Sequence, residues 1–152
     1  MDIMLENVTS DDLAVWLDSK KVCYRKYVEE YYGSWVDVIQ TEMNTASFVK
    51  AMQLSYFRKI VIDGKPVGFM GYDEQPDCII GITIHMYPEA RNCGIGSLFL
   101  KSVVERSHTM GKTAYLKVFK SNPARRLYER FGFRIYDEND SHYFMRYDCV
   151  LD

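Results

Sequence analysis

The 152-residue sequence lacks the marks of a membrane protein, a metalloprotein or a nucleic-acid binder. No stretch approaches the roughly 18–20 apolar residues that a membrane span needs. Its first residues carry Asp2 and Glu6 and no basic segment, which argues against a signal peptide and makes the cytoplasm the expected compartment. Cysteine is scarce and scattered: Cys23, Cys78, Cys93 and Cys149 form no C-x-x-C pair, and there is no H-E-x-x-H, so no metal site is expected. Free thiols of this kind read as small buried hydrophobes. A basic excess is also missing. The net charge is -2 with 26% charged residues, whereas nucleic-acid binders carry a basic balance or stripe. The four prolines sit at boundaries, and there is no linker, repeat or low-complexity tract. What is present is 47% hydrophobic content, enough for one core, so residues 1–152 read as a single domain.

The periodicity gives the elements. Ile3 to Val8 reads as a short strand. Thr9 and Ser10 offer helix caps, and Asp11 and Asp12 suit the positive end of a helix dipole. Leu13, Trp16 and Leu17 are helically spaced. A second run follows with Val22, Tyr24, Tyr27, Val28 and Tyr31, and Gly33 breaks it. A third starts at Ser34, with Trp35, Ile39 and Met43 recurring every four residues. The pattern then alternates: Tyr56 to Ile62, a turn at Asp63 to Pro66, Val67 to Tyr72, a turn, and Cys78 to Tyr87 read as a three-stranded antiparallel meander. After Pro88 comes a loop and then a helix with Ile95, Leu98, Phe99, Val103 and Val104 on one face, ended by Gly111. Ala114 to Phe119 is a strand, placed parallel to the Cys78–Tyr87 strand by the crossover. Asn122 and Pro123 open a helix that Gly132 stops. Phe133 to Asp137 and His142 to Val150 close the chain as a hairpin. The whole is α/β: a mixed, mainly antiparallel sheet of six to seven strands with helices on both faces.

The segment Arg91-Asn92-Cys93-Gly94-Ile95-Gly96 lies between a strand and a helix. Its glycines allow close backbone approach, and the unpaired N–H groups of the helix start together with the helix dipole make an anion site. It is not a dinucleotide fingerprint, because Phe99 stands where a third glycine is needed. It is not a P-loop either, since no Gly-Lys-Ser/Thr follows. Downstream stands Asn122-Pro123-Ala124-Arg125-Arg126-Leu127-Tyr128-Glu129-Arg130-Phe131-Gly132-Phe133.

The two segments together resemble the GNAT (Gcn5-related N-acetyltransferase) superfamily. R-x-x-G-x-G resembles its pyrophosphate loop, and A-x-x-L-Y-E-x-x-G-F its second acetyl-CoA motif. The resemblance covers Ile60 to Tyr147, and the first third by topology alone. It implies an enzyme, an acyltransferase that moves an acetyl group from acetyl-CoA to a primary amine by direct attack. It implies cofactor contacts from the backbone of Asn92, Cys93, Gly94, Ile95, Gly96 and Ser97, from the loop's Arg91, from the strand at Ile84 and Met86, and from Asn122 and Arg125. Many relatives place a capping Asn three residues before the Ala, where this chain has Ser121. Which of Ser121 and Asn122 meets the pantetheine is therefore open.

Tyr128 is the candidate general acid implied by the same motif. A phenol of pKa roughly 10 can protonate a thiolate whose acid has a pKa of roughly 8.5. Without the motif it would read as a core aromatic. His85 is the candidate base, since its pKa lies in the working range, though strand alternation sets it opposite Ile84 and Met86 and it reads equally as a structural histidine. The acceptor wall is expected from Tyr31, Trp35 and Glu30 with His142 and Tyr143, an aromatic and acidic lining suited to a cationic amine. Small amines, amino acids, aminoglycosides and protein N-termini remain open as acceptors. Two other readings stand beside this one: a protein or peptide N-acetyltransferase, and a CoA-binding sensor domain without turnover. Neither a nucleic-acid nor a membrane partner is expected, and a homodimer is compatible with the sequence.

Overall fold

The computed structural model describes residues 1–149. Its elements are strand β1 (Ile3–Asn7), helices α1 (Leu13–Tyr32) and α2 (Asp37–Ala51), strands β2 (Tyr56–Ile62), β3 (Lys65–Glu74) and β4 (Cys78–Met86), helix α3 (Ile95–Met110), strand β5 (Thr113–Phe119), helix α4 (Ala124–Arg130), and strands β6 (Arg134–Glu138) and β7 (His142–Tyr147). Single 3₁₀ turns stand at Ser10–Asp12 and Pro88–Ala90. The strands form a seven-stranded sheet in the order β1-β2-β3-β4-β5-β7-β6. The ladders β1–β2, β2–β3, β5–β7 and β6–β7 are antiparallel, and β4–β5 is parallel, so the expected mixed, mainly antiparallel sheet is present. Val150, expected as the end of the last strand, lies outside the described residues. The chain divides into two compact units: Met1–Tyr72 with Thr83–Asn92, and Asp73–Ile82 with the segment from Cys93 on.

In the first unit, Thr9 caps the 3₁₀ turn that leads into α1, and its N–H donates to Asp12 Oδ2 at 2.9 Å. The two runs expected at Leu13–Leu17 and Val22–Tyr31 are one 20-residue helix. Nothing breaks it, because Asp18-Ser19-Lys20-Lys21 contains neither Gly nor Pro. The helix buries Trp16, Ser19, Cys23 and Tyr27, a single face at helical spacing. Trp16 joins Phe48, Ala51, Phe57 and Phe69 in the core. Its ring meets Phe57 and Phe69 edge-on at 5.6 and 5.1 Å, and its Nε1 donates to the Asn44 carbonyl at 2.9 Å. The third run differs from expectation. Val36 stands at the cap position of α2, and Ile39 and Met43 are 53% and 59% exposed, while Phe48 and Ala51 near its other end reach the core.

His85 of β4 belongs to this core. Its ring lies 5.1 Å from Trp16, 5.6 Å from Phe69 and 5.8 Å from Tyr24, and its Nε2 is 2.9 Å from Ser19 Oγ. Counting protons fixes the tautomer. Ser19 donates its one hydroxyl proton to the Trp16 carbonyl at 2.9 Å, so Nε2 carries the imidazole proton and donates to Ser19 Oγ. Nδ1 is then a buried lone pair, and it has no partner among the described residues. Burial first, and then the charges of Lys20 and Arg91, hold the imidazole well below its ordinary pKa, so it is neutral.

In the second unit, α3 buries Ile95, Phe99, Leu100, Val103 and Ser107. Leu98, expected on that face, is 69% exposed, and Leu100 takes its place at 0%. Strand β5 turns Ala114, Leu116 and Val118 inward by simple alternation. Its parallel ladder with β4 consists of Cys78↔Thr113 and Ile79↔Ala114. Glu74 holds the start of this unit to α3 and β5 through Arg106 and Lys112, whose hydrogen bonds draw its carboxyl down to about 2.

Two outcomes follow from the first unit. A Cβ on Gly68 would collide with the His85 carbonyl oxygen and stand 2.9 Å from Met86 Cα, both backbone atoms that cannot swing aside. Gly68→Ala is expected to lose about 1–3 kcal/mol in urea unfolding. The folded chain excludes a proton from His85 that the unfolded chain takes up below about pH 6.5. Stability is therefore complete above that pH and falls as pH drops below it, at up to about 1.4 kcal/mol per pH unit for one proton. Urea titrations between pH 7 and 5 should show this slope, and His85→Gln should reduce it. An unchanged slope would mean that His85 titrates normally in the fold.

Candidate active site

Strand β4 ends at Met86, and a 3₁₀ turn carries the chain to Arg91. Asn92 and Gly94 then adopt left-handed backbones, with φ of 62° and 81°. Asparagine and glycine are the residues that tolerate this region, and the two reversals aim the chain into α3. Gly94 is the helix cap, and no side chain satisfies the first turn. The N–H groups of Ile95, Gly96 and Ser97 therefore have no acceptor within the helix, and the positive end of a 16-residue helix dipole lies behind them. A Cβ on Gly94 would point into open space, so the backbone there is bare. A Cβ on Gly96 would stand 3.2 Å from Leu127 Cδ2, so Gly96 is also where α4 comes close. Cys93 is half-buried, and Asn92 and Arg91 are exposed.

On α4, Asn122 Oδ1 accepts the Ala124 N–H at 2.9 Å, the capping bond expected of it. Tyr128 is 9% exposed. Its hydroxyl forms no hydrogen bond with any described residue, yet it is not among the fully enclosed polar atoms. Burial alone pushes the phenol up to about 12, so it is a neutral donor without an acceptor. Arg125 reaches Glu129 at 3.7 Å and lies 5.2 Å over the Tyr143 ring, with Lys120 5.4 Å from the same ring. Arg125, expected at the cofactor, and Tyr143, expected at the acceptor, are thus neighbours. His142 stacks on Phe119 at 4.1 Å, its Nδ1 is 2.7 Å from Ser141 Oγ, and burial followed by Lys117 lowers its pKa.

In the first unit, Ile84 and Met86 are half-buried on the face opposite buried His85, as strand alternation requires. The Met86 carbonyl accepts Cys23 Sγ at 3.2 Å and Arg91 Nε at 3.0 Å. Tyr31 is half-buried and Glu30 exposed. Trp35 donates its indole N–H to Asp37 Oδ1 at 3.0 Å. Trp35, Asp37, Thr41 and Asn44 line an open cleft of about 260 Å³ with Leu17, Asp18 and Lys21 of α1. Asp18, which accepts a short hydrogen bond from the Tyr87 hydroxyl, was not anticipated from sequence, and neither was Ser19. Their partners stand 69 and 66 residues away, and only the burial face of α1 could have pointed to them. Among the described residues no three His, Cys, Asp or Glu side chains are grouped to hold a metal, and no helix is long and apolar enough to cross a membrane.

No curated protein matches the sequence. Solved structures do match in fold. PaiA N-acetyltransferase of Thermoplasma acidophilum, in complex with coenzyme A, shares 16% identity over 97% of this chain and 99% of its own, with a TM-score of 0.71. The ribosomal-protein-S18-alanine N-acetyltransferase of Escherichia coli gives 16% identity, 99% and 96% coverage, and 0.71. Campylobacter jejuni N-acetyltransferase PseH, in complex with acetyl coenzyme A, gives 20%, 97% and 99%, and 0.60. The sequence profile of the acetyltransferase (GNAT) family matches residues 20–133, three quarters of the chain. The chain therefore belongs to the acetyltransferase (GNAT) family.

Proposed function

We propose that the protein transfers the acetyl group of acetyl-CoA to a primary amine by direct attack on the thioester, in the cytoplasm, where its four free thiols are stable. The observation that carries the reading is the Gly94 cap: bare backbone, unsatisfied first-turn amides and a helix dipole in one place form a phosphate cradle. Acetyl-CoA supplies the diphosphate for it. Backbone amides of Asn92 to Ser97 hold that group, Arg91 adds charge at the loop's start, and Ile84 and Met86 offer strand edges to the pantetheine. Asn122 keeps α4 in place by its cap, and Arg125 stands near the nucleotide end.

The neutral amine nitrogen forms a C–N bond to the acetyl carbon, and the carbonyl oxygen becomes an oxyanion. Collapse breaks the C–S bond, the departing thiolate takes the Tyr128 proton, and the proton lost by the acylated nitrogen returns through water to the Tyr128 phenolate. The products are the N-acetyl amine and the CoA thiol. A phenol near 12 is a weak acid for a free thiolate, but burial raises thiols too, as it does at Cys23. The gap between the two acids therefore stays small in a dry site. Burial keeps His85 neutral with its Nδ1 enclosed, so the amine sheds its proton to water before it reacts. The residues proposed to contact the acceptor are Tyr31, Trp35 and Glu30 in the first unit and, separately, His142 and Tyr143 in the second. A CoA sensor without turnover would have no use for a buried phenol with an unengaged hydroxyl.

Two measurements test this. Saturating acetyl-CoA should raise the melting temperature; at a hundredfold excess over Kd the gain is about 2.7 kcal/mol. Gly94→Asn and Gly94→Asp both tolerate the left-handed backbone, but only Asp places a negative charge in the cradle. The shift should vanish in Gly94→Asp and persist in Gly94→Asn. Equal shifts in both would remove the phosphate assignment. Tyr128→Phe should lower kcat and kcat/KM together by about 10- to 1000-fold in a thiol-release assay over small amines and peptides. Its denaturation midpoint should not move, since the hydroxyl has no hydrogen bond to lose. Wild-type turnover in this variant would leave the acid unassigned.

A further inference from the structure

The carbonyl of Met86 takes two donors that the proposed reaction does not use. Tyr87 donates its N–H to the Val67 carbonyl at 2.8 Å, so by strand alternation the Met86 carbonyl points to the opposite edge of β4. The ladder with β5 on that edge lies at Cys78 and Ile79, at the other end of the strand. Cys23 Sγ, from the buried face of α1, donates to the Met86 carbonyl at 3.2 Å, and Arg91 Nε donates to it at 3.0 Å. The two lone pairs of a carbonyl admit both donors. Arg91 Nη2 also stands 3.6 Å from Cys23 Sγ, so thiol, carbonyl and guanidinium close a ring of three contacts. Burial pushes the Cys23 thiol up, and the hydrogen bond and charge of Arg91 pull it back only in part, so the sulfur keeps the proton that it donates. Arg91 is also held through its main chain, whose N–H donates to the Pro88 carbonyl at 3.1 Å.

We infer that Cys23 is a positioning residue for the acetyl-CoA loop, acting through the Met86 carbonyl and Arg91. The inference rests on the acetyl-CoA reading above and adds to it a residue that lies outside both motifs. Arg91 is the first residue of the loop, and Asn92 beside it takes the left-handed backbone that begins the reversal. The guanidinium ties the start of the loop to the end of β4, and Cys23 ties that joint to α1. Helix α1 is itself anchored along the same face by Trp16 and Ser19, both against His85. Without the sulfur, one of the three contacts is left, and the start of the loop populates other arrangements. A ligand that needs one arrangement binds more weakly in proportion to the fraction of molecules holding it, while molecules that have bound it react as before. A positioning role therefore raises KM for acetyl-CoA and leaves kcat alone, which lost packing by itself would not do.

The test compares Cys23→Ala, which removes the thiol, with Cys23→Ser, which restores a donor and an acceptor in nearly the same place. In Cys23→Ala, Kd and KM for acetyl-CoA should rise about five- to tenfold, the worth of one buried hydrogen bond, with kcat unchanged. Cys23→Ser should recover most of the affinity. In the free protein, amide exchange at Asn92 and Cys93 should quicken in Cys23→Ala and stay as in the wild type at Phe48 of α2. In an Arg91→Met background, Cys23→Ala should change Kd by less than about twofold further, because the clamp is already open. If Cys23→Ala does not fold, Cys23→Val fills the space without a donor and takes its place in every arm. Wild-type Kd in the variant without a donor, a Cys23→Ser variant no tighter than it, or additive effects with Arg91→Met overturns the inference. If exchange at Asn92 and Cys93 depends on the thiol but the wild type does not bind acetyl-CoA, the clamp stands and the cosubstrate reading is what fails.

Discussion

The hydrogen bond between Ser19 and His85 fixes the register of α1 against the end of β4, and much of the first unit follows from that register. One helix face presents Trp16, Ser19 and Cys23 in succession, and each meets the β4 side at its own place: Trp16 against the His85 ring, Ser19 on His85 Nε2, Cys23 on the Met86 carbonyl. Asp18, next along the helix, finds the Tyr87 hydroxyl. A slip of one residue would rotate α1 by about 100° and separate all of these pairs at once. The bond is made between neutral groups inside a shell of rings, where an unmade one would cost about 1–3 kcal/mol. It specifies a single arrangement because serine has only one proton to give, and the Trp16 carbonyl takes it.

Burial acts on the titratable groups in opposite ways according to what surrounds them. Tyr128 and His85 are enclosed without a compensating charge, so both are held in their neutral forms. Part-buried Glu74 and exposed Asp37 stand beside cations that donate hydrogen bonds to them, so both are held ionised. The neutral groups are candidates for moving or accepting a proton, and the ionised ones for holding shape. Asp18 fits neither set. It is exposed and accepts a hydrogen bond from a neutral phenol, the Tyr87 hydroxyl.

The backbone of the Arg91–Gly96 loop and the start of α4 were legible in the sequence because their physics is local. A left-handed Asn92 and Gly94, a helix starting at Ile95, and a cap from Asn122 to Ala124 each need residues within a few positions of one another. The strands were legible for the same reason, through their alternation. The helix faces were less so. Leu98 and Leu100 are equally apolar, and only the neighbouring elements decide that Leu98 is exposed and Leu100 buried. The apolar spacing of Trp35, Ile39 and Met43 marks a helix correctly but not its buried side, since Phe48 and Ala51 carry that contact. The surroundings of His85 were beyond reach: alternation gave its face, but the serine that fixes its tautomer lies on an element 66 residues earlier.

This difference bears on how the chain can be recognised at all when matching structures share only 16–20% identity. A phosphate held by main-chain amides asks the sequence for glycines and a helix start, and it leaves most side chains unspecified. An acceptor held by side chains asks for particular charges and rings, placed by contacts between distant elements. The cosubstrate side is therefore readable from a short motif, while the acceptor side has to be read from geometry. The cleft at Asp18, Trp35 and Asp37 lies on helices that are held by other residues: Trp16, Ser19 and Cys23 on the opposite face of α1, and Phe48 and Ala51 further along α2. The lining of that cleft can therefore change without disturbing the packing that supports it.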